Sequence, residues 1–137
     1  MPEGGKYEKL PRPESVKALI KFVSANSFVS DIEELDQQIL KIIRVGKSNL
    51  IVYLTNIYIV SEADVNEILL ENRSIDCIVT VSAWNKYTSM AKNEAKEKNI
   101  GLFKFKEFLG AIYYDGQEFI DYEPKKHDDR TLSRRKI

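Results

Sequence analysis

A chain of 137 residues is long enough for one hydrophobic core and too short for two comfortable ones. With 43% apolar and 31% charged residues and no run near the ~20 apolar residues that cross a bilayer, neither a disordered chain nor a membrane-spanning helix is expected. Lys plus Arg equal Asp plus Glu at 21 each, so any nucleic-acid contact must come from a local patch rather than from overall charge.

The opening segment MPEGGKYEKLPRPES has no apolar h-region, and its Gly, Pro and charge leave residues 1–12 irregular. Pro13 suits a first helical turn, after which Val16, Leu19, Ile20 and Val23 recur at the spacing of one buried stripe. Ser30 followed by Glu33 has the form of a capping box. With Ile32, Leu35, Ile39, Ile42 and Ile43 as its apolar face and Gly46 as its stop, it predicts a second helix.

Beyond Gly46 the period changes. NLIVYLTN is too short for a helix and continuous enough for a strand buried on both faces. Ser61 with Asp64 then opens a helix to about residue 72 that packs Val65, Ile68 and Leu69. IDCIVTVS predicts a second buried strand, Thr88 or Ser89 caps a helix to about Lys98 whose Ala91 and Ala95 face the sheet, and IGLFKF predicts a third strand. EFLGAIYY reads as a short helix or turn followed by an edge strand, with Asp115-Gly116 as a turn.

Strands alternating with helices imply right-handed crossovers and a parallel sheet. The expected fold is α/β: a small three-layer domain over residues 13–122, with a mainly parallel central sheet and extra N-terminal helices. A basic tail, residues 123–137, is expected to be solvated and mobile.

Most motifs have structural explanations. VGKSN at 45–49 contains a Gly-Lys-Ser, but a P-loop needs another Gly at position 41, where Lys41 stands, and it must link a strand to a helix. His127 is the only histidine and lies in the tail, leaving no base for a nucleophile triad. Cys77 is the only cysteine, so neither a disulfide framework nor a zinc site is supported, and a reducing, cytoplasmic setting is the default. Glu62 and Asp64 sit where helix capping explains them better than a metal does. No cofactor or metal is expected.

In an open parallel sheet, ligands bind outside the carboxyl ends of the strands. There this sequence supplies Asn56 and Tyr58, then Ser82, Trp84, Asn85, Lys86, Tyr87 and Thr88, then Lys104 and Lys106. Polar groups, aromatic faces and cations together suit an anion or a stacked base. The plainer reading has Trp84 and Tyr87 covering a sheet edge or a protein interface.

The run from about residue 49 to 112 resembles the second half of restriction-endonuclease-like domains, particularly the Mrr-like branch of the PD-(D/E)xK superfamily. The matching segments are LIVYLTN, SEADVNEILLENR, CIVTVSAWNKYT, SMAKNEAKEKN and IGLFKFKEFLG. The family's catalytic positions do not carry over. Where it places a carboxylate or amide and a lysine, this chain has Tyr53 and Thr55, or Val52 and Leu54, which neither hold Mg²⁺ nor activate water. Asp31 and Asp36 fall in the predicted second helix and not on a preceding strand.

The resemblance implies a catalytically degenerate module of a DNA-processing, defence or mobile-element system, binding nucleic acid or a protein partner through the strand-end loops. Two alternatives stand beside it. One is a small enzyme or sensor holding a nucleotide or other anionic small molecule in the same crevice, using Asn56, Glu62, Asp64 or Ser82. The other is a homodimeric interaction domain built on Trp84, Tyr87, Tyr113 and Tyr114. No membrane partner is expected.

Overall fold

The computed structural model describes residues 10–72 and 74–124. The segment 1–12, expected to be irregular, is described only from Leu10 onward, and most of the expected basic tail, with His127, lies outside the described residues.

Helix α1 spans Pro13–Ser24, with the proline in its first turn, and buries Leu19 and Val23 as the spacing predicts. The segment after it is not a helix. Residues 29–44 form a hairpin of β1 (Val29–Asp36) and β2 (Ile39–Arg44) joined through Gln37 and Gln38. Ser30 does not cap a helix; its hydroxyl donates to the Ile43 carbonyl at 3.3 Å. The helical spacing of 32, 35, 39, 42 and 43 competes there with a period of two. Leu40, Ile42 and Arg44 are buried while Ile39, Lys41 and Ile43 are half-buried. Isoleucine-rich segments fit a pleated, packed surface better than a helix, and tertiary pairing decides.

Gly46 is likewise not a helix stop. At φ +80° it turns the chain between β2 and β3 (Leu50–Thr55), a left-handed conformation that glycine adopts without strain. Arg44 locks this turn to the far end of the chain. Its guanidinium donates to the carbonyls of Ser48 (2.7 Å), Ile112 (2.8 Å) and Tyr114 (2.8 Å), and pairs with Asp115 at 3.1 Å.

A two-residue strand β4 (Ile59–Val60) leads into α2 (Glu62–Glu71), whose capping box is complete. Asp64 N–H donates to the Ser61 hydroxyl at 3.1 Å, and Ser61 N–H to the Asp64 carboxylate at 2.9 Å. Strand β5 (Cys77–Thr80), the short β6 (Lys86–Tyr87), α3 (Ser89–Glu97) and β7 (Gly101–Lys104) follow. Thr88 caps α3, accepting from Ala91 N–H at 3.0 Å.

After β7 the chain enters α4 (Phe105–Ala111) directly and then α5 (Gly116–Ile120), which Asp115 caps. The predicted edge strand is absent among the described residues, and Asp115-Gly116 opens a helix instead of a strand turn.

The five-stranded sheet runs β1-β2-β3-β5-β7, with β4 and β6 pairing separately in parallel. Its first three strands are antiparallel and its last three parallel, so the α/β assignment stands but the sheet is mixed and not mainly parallel. Among the described residues one helix, not several, precedes it.

Helices pack against both faces of the parallel strands β3, β5 and β7. Val52, Leu54, Cys77, Val79 and Phe103 pack with Leu19, Val23, Phe108 and Phe119 of α1, α4 and α5. The alternate residues Ile51, Tyr53, Ile78 and Leu102 pack with Val65, Ile68, Ala91 and Ala95 of α2 and α3. The two fully buried alanines let α3 approach the sheet closely. No helix among the described residues is long and apolar enough to cross a membrane.

Candidate binding site at the strand carboxyl ends

Strands β3, β5 and β7 are parallel neighbours, so their carboxyl ends deliver the predicted loops to one end of the sheet. The structure divides those residues into three groups rather than gathering them in one crevice.

Asn56, Ser82 and Asn85 form a frame. Asn85, only 3% exposed, donates through Nδ2 to Asn56 Oδ1 and to Thr80 Oγ1, both at 2.9 Å. The Ser82 hydroxyl also donates to Asn56 Oδ1, and Thr80 Oγ1 donates to the Ile57 carbonyl at 2.7 Å. These polar groups stitch the loop after β3 to the loop after β5, and a buried polar group so satisfied is held in place rather than offered to a ligand. The alternative small-molecule reading draws on Asn56 and Ser82, hydrogen-bonded within this frame, on Asp64, engaged in the cap of α2, and on Glu62 in the first turn of that helix.

Tyr58, Trp84 and Lys86 are exposed members of these loops. Lys86 N–H donates to the Tyr58 carbonyl at 2.8 Å, and β4 lies against β6, so the two loops travel together. Their side chains point outward: Trp84 is 62% exposed and Tyr58 56%. The Lys86 ammonium lies 5.9 Å from the Tyr58 ring centre, within cation–π range. Met90 and Ile59 are exposed beside these segments in the chain.

Tyr87 and Lys104 line a cleft of about 460 Å³ with Ser89, Lys92, Asn93, Glu107, Glu123 and Pro124. The Tyr87 hydroxyl donates to the Glu107 carboxylate at 2.8 Å, and Glu107 also accepts the Lys104 backbone N–H at 2.9 Å. Burial, then the neighbouring Glu107 charge, pushes the Tyr87 phenol far above its usual pKa of 10.0. Lys106 lies apart, on a neighbouring cleft of about 590 Å³ whose floor includes Ala18, Val81 and Phe105. Lys104 and Glu107 border both clefts.

Lys92 and Glu107 carry no signal in the sequence. Lys92 is one of four charged residues on α3, with Glu94, Lys96 and Glu97, yet it is 4% exposed. Its Nζ donates to the Leu102 carbonyl at 2.6 Å and sits 4.4 Å from the Phe103 ring centre. Burial lowers its pKa from 10.5 to about 8, against the opposing pull of Glu107.

The positions aligned with the nuclease motif are apolar or internal. Val52 and Leu54 are fully buried in the core beneath α1, Tyr53 packs toward α2 and α3, and Thr55 is 1% exposed. No cluster of three or more His, Cys, Asp or Glu that could hold a metal occurs among the described residues. Comparison with family models, with curated proteins and with solved structures finds no match.

Proposed function

We propose that the chain is a non-catalytic, three-layer restriction-endonuclease-like module that binds single-stranded nucleic acid through Tyr58, Trp84 and Lys86, with Lys104 and Lys106 as flanking phosphate contacts. Its setting, on the resemblance of residues 49–112, is DNA processing, defence or a mobile element. One observation carries the reading: two large aromatic side chains and a lysine stand in solvent on segments whose loops are tied together by the hydrogen bonds of Asn56, Ser82 and Asn85. An aromatic ring left out of both cores while its neighbours are cross-braced is set up for contact rather than for folding. A base stacked on such a ring contributes about 1–3 kcal/mol, and every base has a face to offer, so contact needs no particular sequence.

The test is titration of labelled DNA and RNA oligonucleotides, single- and double-stranded, at low ionic strength. Single strands should bind, and Trp84→Ala together with Tyr58→Ala should remove most of the affinity. Failure of every nucleic acid to bind would overturn the proposal. If solution mass then rose with concentration and Trp84→Ala kept the chain monomeric, the same surface would instead join two copies.

A further inference from the structure

We propose that the cleft between α3 and α4 is a second site, sharing only Lys104 with the nucleic-acid reading, in which the Lys92 amine captures a small aldehyde or ketone bearing a phosphate or carboxylate, with Lys104 meeting the anionic group. The inference does not rest on nucleic-acid binding, since neither Tyr58 nor Trp84 borders this cleft.

Three observations place the chemistry. First, Lys92 has no carboxylate within ion-pairing distance among the described residues, which is unusual for a buried ammonium. Its one hydrogen bond, to the Leu102 carbonyl, is served equally well by a neutral amine, which keeps an N–H for the carbonyl and a lone pair for reaction. Second, the residue lines an opening of about 460 Å³, room for a small metabolite. Third, the walls are suited to that class. The Tyr87 ring centre lies 5.5 Å from the Lys92 Nζ and 6.0 Å from the Lys104 Nζ, so both amines sit against the same aromatic ring. Glu107, fixed by the Tyr87 hydroxyl and the Lys104 backbone, borders the same space and can relay protons.

The pKa of about 8 supports this geometry: roughly a quarter of the amine is neutral near pH 7.5, against about 0.1% for an ordinary lysine. In the reaction the Lys92 nitrogen bonds to the carbonyl carbon as the C=O π pair moves onto oxygen. The carbinolamine then loses that oxygen as water, which takes away two protons in total from the nitrogen, and a C=N bond remains. Protonated, this imine still donates to Leu102. No oxidant or reductant is required.

The experiment treats the full chain with limiting pyridoxal 5′-phosphate, reduces any imine with borohydride, and maps modified lysines by peptide mass spectrometry. Lys92 should carry at least tenfold more label than exposed Lys86 or Lys106. Pyridoxal without phosphate should label it several-fold more slowly, inorganic phosphate should compete, and Lys104→Ala should erase the advantage of the phosphate. Lys92→Arg should lose the dominant label while leaving the others unchanged. Should that variant not fold, the wild-type map and the phosphate competition decide alone. Label spread over exposed lysines with Lys92 spared, or labelling of Lys92 indifferent to phosphate, would overturn the proposal.

Discussion

Asn85 and Trp84 are adjacent in sequence and assigned opposite work, so replacing each with alanine separates the frame from the face. Asn85 donates two hydrogen bonds from inside the protein. Each neutral hydrogen bond contributes about 0.5–1.5 kcal/mol, so their sum is roughly 1–3 kcal/mol. The partners are not left bare: Asn56 Oδ1 still accepts from Ser82, and Thr80 still donates to the Ile57 carbonyl. A loss near the middle, about 2 kcal/mol, is therefore expected for Asn85→Ala. With a urea dependence of about 2 kcal/mol per molar, the midpoint should fall by roughly 1 M. Trp84, 62% exposed, should cost no more than about 0.5 kcal/mol on removal. Urea unfolding followed by far-UV circular dichroism reads both, because the Trp84→Ala chain has no tryptophan left to report by fluorescence. An unchanged midpoint in Asn85→Ala, or a Trp84→Ala loss as large as that of Asn85→Ala, would refute the division.

Other consequences follow from the same geometry. Arg44→Met should destabilise by about 3–5 kcal/mol in urea unfolding, because it strips a fully buried guanidinium from three carbonyls and from Asp115. Gly101→Ala should cost about 1–3 kcal/mol, since its new methyl would stand 2.5 Å from the Phe103 ring, itself fixed in the core. The folded chain binds fewer protons at Lys92 than the unfolded chain does between about pH 8 and 10.5. The Lys92 contribution to stability should thus rise with pH across that window, by at most about 3 kcal/mol, showing as a net rise between about pH 8 and 9, and Lys92→Met should abolish it. Tyr87 and buried Cys77 work in the other direction: their raised pKa values mean stability falls as the unfolded thiol ionises above pH 9 and the unfolded phenol above pH 10, so the urea midpoint should level off above pH 9 and fall above pH 10.

The parallel half of the fold was legible because each element there obeys one rule at a time. Ser61 and Asp64 make a complete capping box, Thr88 caps as expected, and LIVYLT and CIVT are apolar on both faces because helices cover both. The hairpin was not legible, because isoleucines at 32, 39, 42 and 43 make a helical stripe, whereas in β2 the last three split between the two faces, Ile42 buried and Ile39 and Ile43 half-buried. The decision came from β2 pairing with β3, nearest neighbours in space but hidden in a single segment's pattern. At the site, residue types were readable and roles were not. Asn85 and Lys86 look alike as polar loop residues, yet one is buried beneath hydrogen bonds and the other lies in water. Lys92 was invisible for the converse reason, since only the close approach of α3 to β7 removes its charge from solvent.

Trp84 is the single tryptophan of the chain, so its fluorescence reports directly on the proposed face. Titration with a single-stranded oligonucleotide should quench it saturably, as a base stacks on the ring. If Lys86, Lys104 and Lys106 each meet a phosphate, the affinity should scale with salt to about the power −2, a loss of roughly 20-fold between 50 and 200 mM. Quenching with that salt slope, diminished in Lys86→Ala, is the predicted result; unchanged fluorescence at low salt with every single-stranded DNA and RNA would contradict it.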